Sequence, residues 1–340
     1  MIKIAIIGAG LIGKERLKAL KMLQQLGREI SIVGILDPYL KDLESLAQEY
    51  KTKILHNLKE TYESRPDWIF IATPHDTVVP ILEKITNYGC KILVEKPLGR
   101  SLEEGRKITE LVKFPDQLFV GFNYRYYAGI NSAIKDIKAN KFGKLISFNL
   151  ILGHGGTPEM TKSWKLDLIR AGGGCLIDPG IHLLDLCQIV SNYRLRILGG
   201  GTWKGFWNTG IEEECHIILE SGGTLINLQV SIVKWLSTFR MEINGTEGYG
   251  IVTGRNRSYG KQRYRVGKKW GWLNAKDQKS SEHLILETNG NNVFVDELNA
   301  LLFGENKTSE LHPCTAEEGL SNMELLENCL RSIKQSEGIL

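Results

Sequence analysis

The sequence predicts an α/β protein of two domains: a doubly wound parallel sheet over residues 1–122, then an α/β domain with a mostly antiparallel sheet over residues 123–340. Three observations lead to this fold class. The 340 residues exceed the size at which one hydrophobic core usually stops growing. The first third alternates short apolar runs with stretches of helical periodicity. The second half contains longer runs in which apolar and polar residues alternate.

The strands predicted for the first domain are short, β-branched and apolar throughout, which is typical of a parallel sheet covered by helices on both faces. They are IKIAIIG, ISIVGILD, WIFIAT, KILVEKP and LFVGFN. The helix-like stretches between them cover residues 11–27, 40–50, 76–88 and 101–113. This alternation of strand and helix predicts the doubly wound arrangement.

The pattern changes after Phe122. In TLINLQVSIV every second residue is apolar, which predicts a strand with one buried face, as in an antiparallel sheet. The apolar face carries Ile226, Leu228, Val230 and Ile232. Helices are predicted near residues 181–191, 293–303 and 315–335.

Composition excludes several classes of protein. Hydrophobic residues make up 42% of the chain and charged residues 24%, as in ordinary globular proteins. No apolar run approaches the roughly 20 residues of a membrane-spanning helix, and the short apolar N-terminus lacks the basic flank of a signal peptide. The six cysteines include no Cys-x-x-Cys pair, and the seven histidines form no ligand-spaced cluster. We therefore expect a cytoplasmic protein with reduced thiols, no membrane segment and no metal.

A glycine-rich turn follows the first predicted strand. Gly8, Gly10 and Gly13 form a Gly-x-Gly-x-x-Gly pattern that opens the first helix, with Leu11 and Ile12 between the last two glycines. The first glycine allows a tight turn, the second lets a pyrophosphate approach the backbone, and the third lets the helix pack on the strand. The pattern predicts a dinucleotide site. A turn that is only structural is the alternative.

Asp37 ends the second predicted strand, at the distance from the glycines where a carboxylate binds the adenosine ribose of a dinucleotide. The alternative is an Asp that only begins a turn before Pro38. A carboxylate here would repel a 2′-phosphate, and neither Tyr39 nor Leu40 offers a positive charge. The sequence therefore favours NAD over NADP.

Glu95 and Lys96 lie at the carboxyl end of a predicted parallel strand, within VEKPL. Doubly wound sheets bind their ligands at this edge. The two residues are therefore candidates for a site, although a polar exit from the strand would explain them equally.

The segment AGGGCLIDPGIHLLDL delivers an acid and an imidazole to one place. Asp178 and Pro179 are typical of an N-cap and a first helical residue, which predicts a helix over residues 179–191 with Asp178 and His182 on one face. A helix N-terminus disfavours added positive charge, so we expect His182 to be neutral. The glycines at 172–174 would supply a close backbone approach, or a positive φ, beside a bound ligand. The alternative is a capping Asp and a core histidine behind a flexible loop.

In this order and spacing, GAGLIG, LDP, ATP, VEKPL, GFNYRYY and WKLDLIRAGGGCLIDPGIHLLDL resemble the glucose-fructose oxidoreductase and inositol dehydrogenase family (Gfo/Idh/MocA). The resemblance covers nearly the whole chain. It implies an N-terminal Rossmann domain and a C-terminal α/β domain with a large, mostly antiparallel open sheet. It further implies that this sheet forms a homodimer or homotetramer.

The resemblance also implies roles for individual residues. Catalysis is implied for Lys96, Asp178 and His182. Cofactor contacts are implied for Gly8, Gly10, Leu11, Ile12, Gly13, Asp37, Thr73, Pro74, His75, Glu95 and Lys96. Substrate contacts are implied for Lys96, Arg125, Tyr126, Lys165, Asp167, Asp178 and His182.

One loop departs from the family pattern. The Thr-Pro-Asn-x-x-His sequence of the family appears here as TPHDTV, with His75 in place of the Asn and Val78 in place of the His. The contacts of this loop are therefore open. His75 is either a residue of the cofactor loop or a polar group at a helix start.

The implied activity is hydride transfer between NAD and a secondary hydroxyl of a sugar, a cyclitol, or a sugar derivative such as a phosphate- or nucleotide-linked one. His182 would take the hydroxyl proton, Asp178 would orient the imidazole, and Lys96 would hydrogen-bond the same oxygen. Two alternatives stay open. One is a glycosidase that oxidises a ring carbon transiently with NAD, and the other is a regulator that binds NAD without turnover.

Seven bases lie in one acid-free stretch, Arg255 to Lys269, and they exceed the net charge of +4. Three interpretations are open: a solvated or interface hairpin turning near Tyr259-Gly260, a clamp for an anionic substrate that uses Arg263 and Arg265, and a nucleic-acid patch. The rest of the chain is acidic and shows no nucleic-acid-binding pattern, so we expect a small-molecule substrate and no nucleic acid.

Overall fold

The structure is a computed structural model, and it describes residues 1–192, 194–274, 281–289, 292–305 and 311–336. The first part of the chain alternates strands and helices as expected. Its elements are β1 (Ile2–Ile7), α1 (Leu11–Gln25), β2 (Ile30–Leu36), α2 (Leu43–Glu49), β3 (Ile54–Leu55), α3 (Leu58–Glu63), β4 (Trp68–Ile71), α4 (Val78–Ile85), β5 (Lys91–Glu95), α5 (Leu102–Leu111) and β6 (Leu118–Gly121). The short β3 and α3 are additions to the predicted elements.

The second part carries longer strands. Its elements are α6 (Ala128–Lys138), β7 (Leu145–Gly153), α7 (Leu168–Ala171), α8 (Ile181–Ser191), β8 (Arg196–Trp203), β9 (Glu214–Ser221), β10 (Thr224–Ser231), β11 (Thr238–Gly245), β12 (Gly248–Thr253), β13 (Gln262–Lys268), β14 (His283–Thr288), α9 (Val293–Phe303), β15 (Cys314–Thr315) and α10 (Ala316–Ser336). The three predicted helices correspond to α8, α9 and α10.

The first sheet has the strand order β15-β6-β5-β4-β1-β2-β3. All its pairs are parallel except that of β15 with β6. Strands β5, β4 and β1 are neighbours and run parallel, so the loops that follow their carboxyl ends lie along one edge of the sheet. The interior residues of these strands are buried, because helices cover both faces. The predicted Rossmann-type sheet is confirmed.

The second sheet has eight strands in the order β14-β13-β12-β11-β7-β10-β9-β8. Only β7 and β10 pair in parallel; the other pairs are antiparallel. In β10 the predicted alternation is observed: Ile226, Leu228 and Val230 are buried, and Leu225 and Asn227 are exposed. The predicted mostly antiparallel open sheet is confirmed.

The two parts share packing. Strand β15 from the end of the chain adds to the first sheet beside β6, which the sequence did not predict. Helix α9 packs on α1, and its Val295 and Leu298 belong to the same apolar cluster as Leu17 and Leu20. In the described parts of the chain, no helix combines the length and apolarity needed to cross a bilayer.

Candidate active site

The glycine turn between β1 and α1 has the geometry expected of a phosphate-binding loop. Gly8 has φ +89°, and a Cβ there would lie 2.6 Å from the carbonyl oxygen of Ala72. A Cβ on Gly13 would lie 2.1 Å from the carbonyl oxygen of Gly8. Around Gly10, in contrast, a Cβ would meet nothing within 4 Å. Protein packing thus requires glycine at positions 8 and 13, whereas Gly10 borders open space.

The start of α1 is available to a ligand. Gly10 is the N-cap and provides no side-chain hydrogen bond, and the first-turn residue Leu11 is 68% exposed. Ile12 follows it and is half-buried. Amides at such a helix start carry partial positive charge and bind phosphate oxygens. The open space beside Gly10 therefore fits the pyrophosphate of a dinucleotide.

Asp37 lies directly behind the glycine turn. One carboxylate oxygen accepts the backbone N–H of Ala9 at 2.7 Å, and the other accepts those of Tyr39 and Leu40 at 3.0 and 3.1 Å. The carboxylate is thereby fixed at the end of β2 beside the turn. This position fits the ribose contact expected of it.

The loop after β4 turns His75 inward. The side chain is 5% exposed, its Nδ1 lies 2.9 Å from the carbonyl oxygen of Ala171, and its ring meets the edge of Trp164. Burial lowers the pKa of His75 to about 4, so the ring is neutral. Because a carbonyl only accepts, Nδ1 carries the proton and Nε2 is an acceptor.

The residues beside His75 in the same loop are held by a local hydrogen bond. The hydroxyl of Thr77 donates to that of Thr73. Pro74 stands between Thr73 and His75 as the N-cap of the single turn His75–Thr77.

Asp178 joins two lysines. Lys96 Nζ lies 2.5 Å from one carboxylate oxygen, and Lys165 Nζ lies 2.8 Å from the other. Burial alone would raise the pKa of Asp178, but Lys165 and Lys96 outweigh it and hold the pKa well below its usual value. The same carboxylate raises the pKa of Lys165. The site therefore holds an ionised Asp between two ammonium groups.

The predicted capping role of Asp178 is wrong. Helix α8 begins at Ile181, its N-cap is Gly180, and no side chain caps it. Asp178 lies in the preceding turn, where both its oxygens bind lysines, and it makes no hydrogen bond to His182. The ion pairs from outside the segment are stronger partners for the carboxylate than the local helix amides.

His182 is buried in an aromatic environment. Its ring is 5% exposed, stacks on Tyr124 at a centroid distance of 3.9 Å and meets the edge of Phe122 at 5.7 Å. Nδ1 is buried and finds no hydrogen-bond partner in the described part of the chain. Burial, followed by the charges of Lys96 and Arg255, holds the pKa of His182 well below its usual value. The expected neutral imidazole is confirmed, although burial and not the helix end is its main cause.

The glycines before α8 serve packing within the protein. Gly172 has φ +88°, and a Cβ there would lie 2.3 Å from the carbonyl oxygen of Arg100. A Cβ on Gly174 would lie 2.0 Å from the carbonyl oxygen of Glu212, whose carboxylate also accepts the Gly174 N–H. The positive φ expected at these glycines is confirmed at Gly172, and the close backbone approach at Gly174 is to the protein itself. An approach of a ligand to these glycines stays a prediction.

Two of the predicted substrate residues lie in the interior. Arg125 is 1% exposed and binds both carboxylate oxygens of Asp185, at 2.6 and 2.9 Å, and Glu318 at 3.0 Å. Tyr126 is also 1% exposed, and burial raises the pKa of its hydroxyl. Asp167 caps α7 by accepting two backbone N–H groups. The structure does not bring these three residues into the Lys96–Asp178–His182 cluster.

Glu95 lies behind Lys96. It is 15% exposed, and Arg16 on α1 binds it at 2.7 Å while also pairing with Glu297 on α9. Gly121 on the neighbouring strand accommodates this contact, because a Cβ there would lie 2.7 Å from the Arg16 guanidinium. Glu95 therefore anchors the strand that presents Lys96.

Three residues that the sequence analysis did not assign surround the cluster. Tyr124 stacks on His182, and the Arg255 guanidinium lies 5.1 Å from the Tyr124 ring centroid. His154 follows β7, and its Nδ1 accepts the Gly156 N–H at 3.1 Å, so its Nε2 carries the proton. Burial lowers the pKa of His154, although the negative charge of Asp178 opposes this shift. Tyr124 lies one residue before the assigned Arg125, so the GFNYRYY motif identified the segment but not the residue that contacts His182.

The rest of the basic stretch is a hairpin with paired charges. Strands β12 and β13 pair antiparallel around a turn at Arg257–Tyr259. Its bases pair with acids in Lys261–Glu287, Arg263–Glu287, Arg265–Glu282, Lys269–Glu247 and Arg257–Glu15. Arg263 and Arg265 are therefore not a clamp beside the candidate site. No group of His, Cys, Asp and Glu suited to a metal occurs in the described ranges.

The chain is similar to one known protein family over most of its length. The oxidoreductase family with an NAD-binding Rossmann fold (Gfo/Idh/MocA) matches residues 2–122, and its C-terminal α/β domain matches residues 134–339. Inositol 2-dehydrogenase of Rhizobium meliloti is 21% identical over 99% of this chain and 98% of its own length. Glucose-6-phosphate 3-dehydrogenase of Bacillus subtilis is 27% identical, over 55% of this chain and 53% of its own length.

Among solved structures, levoglucosan dehydrogenase in complex with NADH superposes with a TM-score of 0.83 at 15% identity, over 98% of this chain and 97% of that one. At this identity the superposition establishes the fold. The matches of both family domains to most of the sequence, and the parallel and antiparallel sheets, lead to one conclusion. This chain belongs to the Gfo/Idh/MocA family of NAD-binding oxidoreductases.

Proposed function

We propose that this chain transfers hydride between NAD and a secondary hydroxyl of a sugar, a sugar derivative or a cyclitol. The observation that carries the proposal is the ion pair between Asp178 and Lys96, which follows β5 in the first sheet, near enough to His182 for both charges to act on its pKa. Relatives named for inositol, glucose 6-phosphate and levoglucosan support the substrate class.

The glycine turn and Asp37 would hold the cofactor, through the helix amides near Gly10 and the carboxylate beside them. Bound NAD supplies the acceptor or donor of the hydride. Thr73, Pro74 and His75 end the neighbouring strand and border the same edge. These residues fit the expected cofactor position, and the remaining chemistry falls to the side chains around Asp178.

His182 would accept the hydroxyl proton. Its imidazole is neutral because burial and nearby cations disfavour the charged form, so a lone pair is available at physiological pH. Lys96 would donate a hydrogen bond to the same oxygen and stabilise its alkoxide character. Asp178 would position Lys96 and Lys165 through its two ion pairs. In this proposal Asp178 positions the two lysines, and no longer the imidazole of His182 as the sequence led us to expect.

The experiment is a screen of NAD reduction on inositols, free sugars, sugar phosphates and sugar nucleotides. We expect net NADH with at least one of them. In Lys96→Met and His182→Ala, kcat should fall about 10²-fold or more, with NADH affinity changed only a few fold. Wild-type turnover in either variant would remove that residue from the mechanism. Tight NAD binding without turnover would indicate a regulator, and elimination of a leaving group without net NADH a glycosidase.

NAD is proposed over NADP because Asp37 offers a carboxylate to the ribose. A preference of about tenfold in kcat/KM requires about 1.4 kcal/mol of discrimination. Asp37→Ser should reduce the ratio of NAD to NADP activity. An unchanged ratio would show that Asp37 does not contact the adenosine ribose.

Assembly into a homodimer or homotetramer is proposed through the outer face of the eight-stranded sheet. Trp203, Ile218 and Leu225 are 52, 44 and 49% exposed on β8, β9 and β10. Sedimentation should give a dimer or tetramer for the wild type and a smaller species for Ile218→Glu. A monomeric wild type would rule this assembly out.

A cytoplasmic location is proposed from the cysteines. Cys90, Cys175, Cys187, Cys215, Cys314 and Cys329 are free and buried. Reduced thiols persist in the cytoplasm. Disulfides in protein isolated from its native cells would contradict this location.

A further inference from the structure

Arg255 differs from most bases of its stretch. Five of the seven pair with carboxylates, whereas Arg255 and Lys268 have no carboxylate partner among the described residues. Lys268 is exposed to water, whereas Arg255 is half-buried. Its guanidinium lies 4.3 Å from the ring centroid of Tyr259 and 5.1 Å from that of Tyr124. Its Nε is buried without a hydrogen-bond partner. The guanidinium also hydrogen-bonds the hydroxyls of Tyr127 and Tyr259, but both tyrosines are neutral, so its charge stays uncompensated.

The position of Arg255 is fixed by the backbone before it. Gly254 has φ +77°, and a Cβ there would lie 2.0 Å from the carbonyl oxygen of Lys261. The end of β12 is therefore held against the start of β13, and Arg255 is directed from this closed turn onto the two tyrosine rings. The tyrosines restrict the plane of the guanidinium.

Arg255 also lies close to the residues that we propose act in catalysis. The guanidinium contacts the Tyr124 ring, and the same ring stacks on the His182 imidazole. Lys96 and Lys165 share the carboxylate of Asp178. Together with Arg255, these side chains give three cations for one carboxylate. The excess positive charge would be balanced by a ligand that carries an anion.

We propose that Arg255 binds a carboxylate or phosphate substituent of the substrate. The inference rests on the proposed function and narrows its substrate class to anionic sugars or cyclitols. A guanidinium binds the two oxygens of either group in parallel, which a lysine cannot do. The Tyr124 ring contacts both Arg255 and His182 and so separates them. A substituent on the side of the sugar away from the reacting hydroxyl is the group that would reach Arg255.

The test compares probes that share one ring. Binding of D-glucose, D-glucuronate, glucose 1-phosphate and glucose 6-phosphate to the NADH-loaded protein is measured by calorimetry. The variants are Arg255→Gln, Arg255→Lys, and the control Arg263→Gln, whose side chain pairs with Glu287 in the hairpin. Thermal unfolding establishes that each variant is folded.

We expect at least one anionic probe to bind the wild type about tenfold or more tightly than D-glucose, with an advantage that falls as salt rises. Arg255→Gln should abolish this advantage, Arg255→Lys should retain part of it, and Arg263→Gln should leave it unchanged. Preference for glucuronate over both phosphates would identify a carboxylate site, and the reverse a phosphate site.

Three results would overturn the proposal: equal binding of neutral and anionic probes, no binding of any anionic probe, or an intact preference in Arg255→Gln. NADH formation, measured in parallel, separates this inference from the proposed function. Turnover of neutral sugars without an anion preference rejects the Arg255 site alone. An anion preference lost in Arg255→Gln, without turnover of any substrate, rejects the dehydrogenase alone.

Discussion

Asp178 shows what a single residue contributes to the site. The local pattern Asp-Pro correctly drew attention to this position, but it predicted a helix cap facing His182. The observed partners are Lys96 and Lys165, and Lys96 lies 82 residues earlier in the chain. A periodic pattern reports neighbours within a few residues, so it could not reveal an ion pair across this separation. The resemblance to a family, in contrast, named Lys96, Asp178 and His182 together, and the first two form an ion pair.

Asp178→Asn should lower kcat about 10²-fold, because Lys96 loses the carboxylate that positions it. It should also lower the free energy of unfolding by about 2–4 kcal/mol, toward the lower end because Lys165 is 45% exposed.

The pKa of Asp178 is depressed in the folded protein, so its stabilisation is complete above the usual value of 3.8 and is lost only as pH falls below it. The stability difference between wild type and Asp178→Asn, measured in urea, should therefore be constant from about pH 5 to 8. A difference that grows or shrinks within this range would contradict the ionised state of Asp178.

At the scale of elements, strands were predicted better than the connections between them. The buried runs of β1 and β4 and the alternating run of β10 carry their own signals. Strands β3 and β15 have two residues each, too few for any periodicity. Helix α8 begins at Ile181, as the predicted stretch 181–191 indicated, and not at Pro179, since the Asp-Pro pair is only a local signal. The reasons for Gly8 and Gly13 followed from the glycine pattern, whereas the reason for Gly174 was hidden, because it depends on which backbone lies opposite.

Two glycines should respond differently to alanine. At Gly10 the φ of −66° suits alanine and nothing lies within 4 Å, so Gly10→Ala should change stability by less than about 0.5 kcal/mol. It should weaken NADH binding about tenfold or more, because the methyl group occupies the space of the phosphates. Gly174→Ala should lose about 2 kcal/mol or more of stability, because its Cβ meets the Glu212 backbone at 2.0 Å. Calorimetry and urea unfolding measure both effects. Unchanged NADH affinity in Gly10→Ala would reject the cofactor position.

Across the whole molecule, ion pairs and a strand join the two parts. Arg16 on α1 binds Glu95 at the end of β5 and also Glu297 on α9, and Arg257 at the hairpin turn binds Glu15 on α1. Division of the sequence at residue 122 followed from the change in strand pattern. It gave no indication that β15 returns to the first sheet, since two residues from the end of the chain resemble any other short connection.

Glu297 should make the stability of the whole molecule depend on pH. Burial raises its pKa from 4.5 to about 7 despite the attraction of Arg16. Its folded pKa exceeds the unfolded one, so its favourable contribution is complete below pH 4.5 and is lost as pH rises to about 7.

From pH 4.5 to 7 the stability of the wild type relative to Glu297→Gln should fall by an amount on the order of 2 kcal/mol. Urea unfolding at several pH values measures this, with Glu327→Gln at the exposed Arg331 pair as the control. A parallel pH course in wild type and Glu297→Gln would contradict the raised pKa.

Transfer of deuterium tests the central claim most directly. A substrate found in the screen is deuterated at its carbinol carbons, and the released cofactor is analysed by mass spectrometry. Hydride transfer from a secondary hydroxyl predicts one deuterium in each NADH formed. Lys96→Met and His182→Ala should form the same labelled NADH about 10²-fold more slowly, since they alter proton handling and not the source of the hydride. Consumption of the substrate with no deuterium in the released cofactor would contradict the account.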